Sequence, residues 1–209
     1  MQFERHRLVY LDPVRWDEIL ATHATLRAIP VVVDWVAAGH PLIARRPVCE
    51  DMAGLVPLGL PLPPSLGMQR LAVAVPPDAI LSDAPPPLLS NALRSAPVAW
   101  QRTVAALIAL DPETRCFGSL AWAYLTGLSY LSETSDLDVI WQVANGDDAA
   151  RLATSLVRID TDAPMRLDGE IVTPTGLAVQ WREFASDAPE LLVKAAEGNR
   201  MVARAELFA

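Results

Sequence analysis

Over residues 136–143, "DLDVIWQV", apolar and charged residues alternate: Leu137, Val139, Trp141 and Val143 on one side, Asp136 and Asp138 on the other. That period of two predicts a strand with one face in a core. A short apolar run at residues 6–12 suits a strand as well. Trp16, Ile19, Leu20 and His23 then recur at helical spacing behind Pro13, a residue suited to a first turn. A short helix stopping near Gly39 and a strand over residues 42–44 follow. In residues 54–76 prolines break any helix, while "QRLAVAVP" alternates like a strand.

Six of the chain's 18 prolines (Pro76, Pro77, Pro85, Pro86, Pro87 and Pro97) fall in residues 76–97, which reads as an irregular connection. Beyond it, helices are expected over residues 98–110, 119–128 (ended near Gly127) and 147–159, the last with acidic residues in its first turn. Residues 165–172 and 177–184 read as strands joined by the turn "TPTG", and "APELLVKAAEGNRMV" as a closing helix. The expected class is α+β. A smaller N-terminal α/β domain spans residues 1–80, a proline-rich connection 81–97, and a mixed sheet flanked by helices 98–209.

The chain has 209 residues, enough for one large domain or two small ones with a core. Its formal charge of −8 argues against broad binding to nucleic-acid backbones. Cys49 and Cys116 sit in no paired motif, so neither a disulfide framework nor a zinc site is expected; both read as buried thiols. The first residues carry no apolar leader, and no run reaches the roughly 18 apolar residues of a membrane span. A soluble cytoplasmic protein without membrane or nucleic-acid partners is the default.

Two carboxylates one strand-step apart can share a divalent cation, and magnesium takes carboxylate and phosphate oxygens. Ahead of them stand Gly118, which lets a ligand approach the backbone, and Ser119 at the start of a helix, where free N–H groups favour an anion. Phosphate cradle, helix and metal-binding strand form one reading. A solvated edge-strand face behind an ordinary helix start is the other. Asp168 and Glu170 in "RLDGEIV" alternate with Leu167 and Ile171, and either supplies a third carboxylate or the outer face of a hairpin.

Gly-Ser, a helix and an Asp-x-Asp strand resemble the nucleotidyltransferase superfamily that includes DNA polymerase beta. The longer pattern is "RCFGSLAWAYLTGLSYLSETSDLDVIW", then "RLDGEIVTPTGLAVQWREF" and "LLVK". It resembles the holo-acyl-carrier-protein synthases of malonate decarboxylase, a phosphoribosyl-dephospho-CoA transferase family. That resemblance implies transfer of the phosphoribosyl-dephospho-CoA unit from 2′-(5″-triphosphoribosyl)-3′-dephospho-CoA to a serine of the acyl-carrier subunit, with pyrophosphate released. It implies Mg2+ on Asp136 and Asp138, with Asp168 or Glu170 as the third carboxylate. Another metal-dependent nucleotidyltransferase and a non-catalytic nucleotide-binding or docking module are the alternatives.

Several further residues are candidates for the substrate or the carrier. Arg45 and Arg46 in "ARRP" either reach phosphates or form a solvated or salt-bridged pair. Lys194 is the only lysine beside 16 arginines. Trp122 or Trp181 can stack an adenine, though buried tryptophans are the common case. Arg94, Arg102, Arg200 and Arg204 are candidates for a basic surface facing an acidic carrier.

Overall fold

Two β-sheets carry the chain, one on each side of the Pro86–Pro87 bond in sequence. The computed structural model describes residues 3–48, 51–67, 70–195 and 198–209. One compact unit holds residues 1–86 with Leu125–Ser129; the other holds the remainder.

The first unit runs β1 (Leu8–Leu11), α1 (Pro13–Ala21), α2 (Ala24–Arg27), α3 (Pro30–Asp34), β2 (Leu42–Ala44), β3 (Val56–Pro61), β4 (Arg70–Val75) and β5 (Ile80–Ala84). Its sheet has the order β4-β3-β2-β1-β5, with every neighbour antiparallel. Helix α1 starts where the sequence indicates: the Asp12 side chain accepts the Val14 and Arg15 N–H groups, with Pro13 in the first turn. It buries Trp16, Ile19 and Leu20. The indole N–H groups of Trp16 and Trp35 donate to the carbonyls of Val32 and Pro41 at 3.0 and 2.9 Å. Strand β3 was not expected. Val56, Leu58 and Leu60 are buried, while Pro57, Gly59 and Pro61 take the other face.

Residues 81–97 are largely structured, holding the end of β5 and then α4 (Leu89–Ala92). The second unit continues with α5 (Gln101–Leu110), β6 (Arg115–Cys116), α6 (Gly118–Thr126), β7 (Leu137–Gln142), α7 (Gly146–Thr161), β8 (Leu167–Val172), β9 (Ala178–Gln180), α8 (Trp181–Ala185), β10 (Glu190–Lys194) and β11 (Asn199–Ala203). Its sheet has the order β11-β10-β9-β8-β7-β6. Only β7 and β8 run parallel. Such a pair needs a long return connection, and the 16-residue α7 supplies it. Asn145 caps α7 by accepting the Asp148 N–H, and Ala149, Leu152, Ala153 and Leu156 form the buried face. Leu137, Val139 and Trp141 of β7 and Leu167 and Ile171 of β8 enter the same core as these side chains.

Two segments depart from the sequence pattern. The closing helix is instead the hairpin of β10 and β11, with Lys194 paired to Asn199. Leu191 and Val193 are fully buried while Leu192 is 42% exposed, a period of two. Residues 177–184 are not one strand. β9 stops after three residues because the Gln180 side chain accepts the Arg182 and Glu183 N–H groups and starts α8. Mixed sheet and helices nonetheless give the expected α+β class. No helix among the described residues is long and apolar enough to cross a membrane.

Gly169 lies under the Trp141 ring: a Cβ there would stand 2.6 Å from Trp141 Cζ3 and 3.0 Å from Val139 Cγ2. Gly169→Ala is therefore expected to destabilise the chain by about 1–3 kcal/mol through overpacking. Gly176→Ala, with φ +79 and open space around it, carries only backbone strain. Urea unfolding of Gly169→Ala against the unaltered chain checks this; an unchanged midpoint refutes the packing of Trp141 on Gly169.

Candidate active site

The parallel ladder sets Asp138 of β7 directly opposite Asp168 of β8. Directly paired residues share a face, and neighbouring strands lie about 4.8 Å apart. Two half-buried aspartates thus occupy neighbouring positions on the face away from Trp141. Asp136 lies just ahead of β7, one strand-step before Asp138.

Gly118 opens α6 with φ +61, and a Cβ on it would stand 1.9 Å from Asp138 Oδ2. Only glycine leaves room there for the carboxylate. The preceding residue ties the two segments together, since the Phe117 N–H donates to the Asp138 carbonyl at 3.0 Å. Asp138 and Ser119 therefore sit at the N-terminal turn of α6, the positive end of its dipole. Asp168 Oδ1 accepts the Gly169 N–H at 2.9 Å and Gln180 Nε2 at 3.1 Å.

Glu170 is buried, and its Oε1 receives Lys194 Nζ at 2.7 Å. Register thus brings Asp168 opposite Asp138, while Glu170 aligns with Ile140 and holds the chain's single lysine. Among the described residues, no three or more His, Cys, Asp or Glu side chains are arranged to hold a metal ion by themselves. The opposed pair of Asp138 and Asp168 still suits magnesium, a hard cation that takes one or two carboxylates and keeps positions for water and phosphate.

Other candidates are differently placed. Arg45 forms a two-pronged pair with Asp51, at 2.7 and 2.5 Å, in the first unit. Its guanidinium, helped by the Val48 N–H, holds the Asp51 carboxyl below the usual carboxylate range. Arg46, beside it, is half-buried. Trp122 and Trp181 are both buried; the Trp181 N–H is taken by the Leu167 carbonyl and Arg182 lies over its ring. Neither is open for stacking an adenine. Arg204 donates to the carbonyls of Ala188, Phe184 and Ser186 and fastens the loop ahead of β10, whereas Arg94, Arg102 and Arg200 are exposed. Cys116 is buried with its thiol pushed up to about 12, chiefly by desolvation, with the Asp138 charge adding. Cys49 lies outside the described residues. Gln180 escaped the sequence reading, because glutamine is not among the usual helix-capping residues.

Two family descriptions match the chain almost end to end. The phosphoribosyl-dephospho-CoA transferase MdcG N-terminal domain covers residues 4–86, and the C-terminal domain of the same enzyme covers residues 88–205. The chain belongs to the phosphoribosyl-dephospho-CoA transferase family. A phosphoribosyl-dephospho-CoA transferase of Bradyrhizobium diazoefficiens is 42% identical over 92% of this chain and 87% of its own length. Another, of Xanthomonas euvesicatoria pv. vesicatoria, is 39% identical over 98% of this chain and 96% of its own. No solved structure matches the chain. All the family-pattern residues of the second half (Gly118, Ser119, Asp136, Asp138, Asp168, Glu170 and Lys194) lie within the matched C-terminal domain.

Gly118→Ala pushes a methyl onto Asp138 in a backbone region that L-residues avoid, so a loss of about 1–3 kcal/mol is expected. An unchanged urea midpoint refutes that contact. In a Cys49→Ser chain, Cys116 of the folded protein should stay unreactive toward iodoacetamide through pH 9. In denaturant its alkylation should rise through about pH 8.5, the ordinary thiol range. Alkylation of the folded chain that rises in parallel contradicts the burial of Cys116.

Proposed function

We propose that this protein transfers the phosphoribosyl-dephospho-CoA group of 2′-(5″-triphosphoribosyl)-3′-dephospho-CoA to a serine hydroxyl of the malonate decarboxylase acyl-carrier subunit. The observation that carries the reading is the Asp138–Asp168 pair beside the glycine-opened start of α6, in a chain of this family. The carrier serine Oγ forms a bond to the α-phosphorus, the bond from that phosphorus to the bridging oxygen breaks, and pyrophosphate leaves. The nucleophile belongs to the partner, so this chain needs no reactive serine or cysteine.

Asp138 and Asp168, with Asp136 ahead of the strand, would hold Mg2+. Bound there, the ion supplies positive charge to the triphosphate oxygens and to the departing pyrophosphate. Ser119 and the N-terminal turn of α6 would bind phosphate oxygens. Lys194, aimed by Glu170, adds a cation on the sheet face that carries Asp168. Asp168, rather than Glu170, which is committed to Lys194, would be the third carboxylate, and the serine proton leaves to solvent as pyrophosphate departs.

The test is the intact mass of the apo acyl-carrier subunit after incubation with this protein, the triphosphoribosyl dephospho-CoA and Mg2+. A gain of one phosphoribosyl-dephospho-CoA is expected. Asp136→Asn and Asp138→Asn should each slow the gain by roughly 10²–10³ while the chain stays folded. A fully active Asp136→Asn variant refutes the site, and no gain with the native protein refutes this acceptor.

A further inference from the structure

The turn from β9 into α8 grips the strand carrying Asp168 through three successive side chains. Gln180 Nε2 donates to Asp168 Oδ1 at 3.1 Å. Trp181 Nε1 and Arg182 Nη1 both donate to the carbonyl of Leu167, one residue before, at 3.0 and 2.5 Å. Arg182 is anchored in turn by Asp160 of α7 at 2.6 Å.

The Gln180 amide has one workable orientation. Its Oε1 accepts the Arg182 and Glu183 N–H groups, at 2.6 and 3.1 Å. Turning the amide over would aim its NH2 group at two donors and its oxygen at a carboxylate. The helix cap therefore dictates that an N–H faces Asp168. That bond and the one from the Gly169 N–H both fall on Oδ1, which leaves Oδ2 for a ligand.

We propose that Gln180 is a positioning residue: it locks the Asp168 carboxylate in the rotamer that serves the Asp138–Asp168 pair, and borrows the rigidity of α8 to do so. This role rests on the reading that the pair holds a divalent cation. A neutral donor suits the task because it fixes the carboxylate without cancelling its charge. Outer hydrogen-bond partners of this kind tune a cation site strongly.

Mn2+ alone is the probe, added to the full chain and followed by the selective broadening of the Gly118 and Gly169 backbone amide signals in 15N–1H NMR spectra. Gln180→Ala is expected to raise the half-broadening Mn2+ concentration by about tenfold in the otherwise native chain. In an Asp168→Ala chain the same change should shift it no further, because Gln180 acts through Asp168. Gln180→Glu keeps an acceptor for the Arg182 and Glu183 N–H groups but offers Asp168 no donor. It should leave those two amide signals in place and displace that of Gly169. An unchanged Mn2+ response to Gln180→Ala, or an equal weakening in the Asp168→Ala chain, overturns the role, since loss of the helix cap alone would weaken both alike. A Gly169 signal unmoved by Gln180→Glu overturns it too. No selective broadening in the unaltered protein refutes the cation reading itself, and the positioning role with it.

Discussion

The parallel register between β7 and β8 is the constraint on which the second unit depends. It pairs Asp138 with Asp168 on one face and lays Trp141 over Gly169 on the other. A slip of one residue would carry the carboxylates into the core and the tryptophan out of it. The core side resists that slip, because Leu137, Val139 and Trp141 are all fully buried. The same pairing demands a long return connection, which explains why the longest helix of the described chain sits between these two strands. Packing on one face thus fixes the chemistry of the other.

What the sequence made legible was local. The alternation in "DLDVIWQV", the Pro13 start of α1 and the glycine end of α6 each depend on neighbours in sequence, and each reappears in the structure. Strand β3 was hidden by Pro57 and Pro61, residues that argue against a paired strand. It is held by partners on both sides, β2 and β4, that no local pattern reveals. The closing hairpin was hidden for another reason. The run Leu191, Leu192, Val193 is apolar enough for either period, and only pairing with β9 and β11 decides it. The end of β9 turns on one side chain: Gln180 caps the next helix from a residue type rarely chosen for it.

The candidate site shows the same division. Gly118, Ser119, Asp136 and Asp138 lie in one stretch, so their spacing could be read directly. Asp168 and Glu170 could not be told apart, because both lie on the same face of one strand. Their difference comes from across the sheet, where β7 places Asp138 beside one and β10 sends Lys194 to the other. Arg45 could be noticed as one of two adjacent arginines, but nothing in the sequence singles out Asp51 as its partner.

The two carboxylates of β8 are held by opposite means, and the difference bears on function. Glu170 is more deeply buried and meets an ammonium, so its charge is compensated where a lone charge would be costly. Asp168 is half-buried and meets only neutral N–H donors, from Gly169 and Gln180. Such bonds fix the direction of the carboxylate without setting a cation against it. On the proposed function, a carboxylate held in direction by neutral donors, with one oxygen left over, is the kind of group that can meet a cation and a phosphate during turnover.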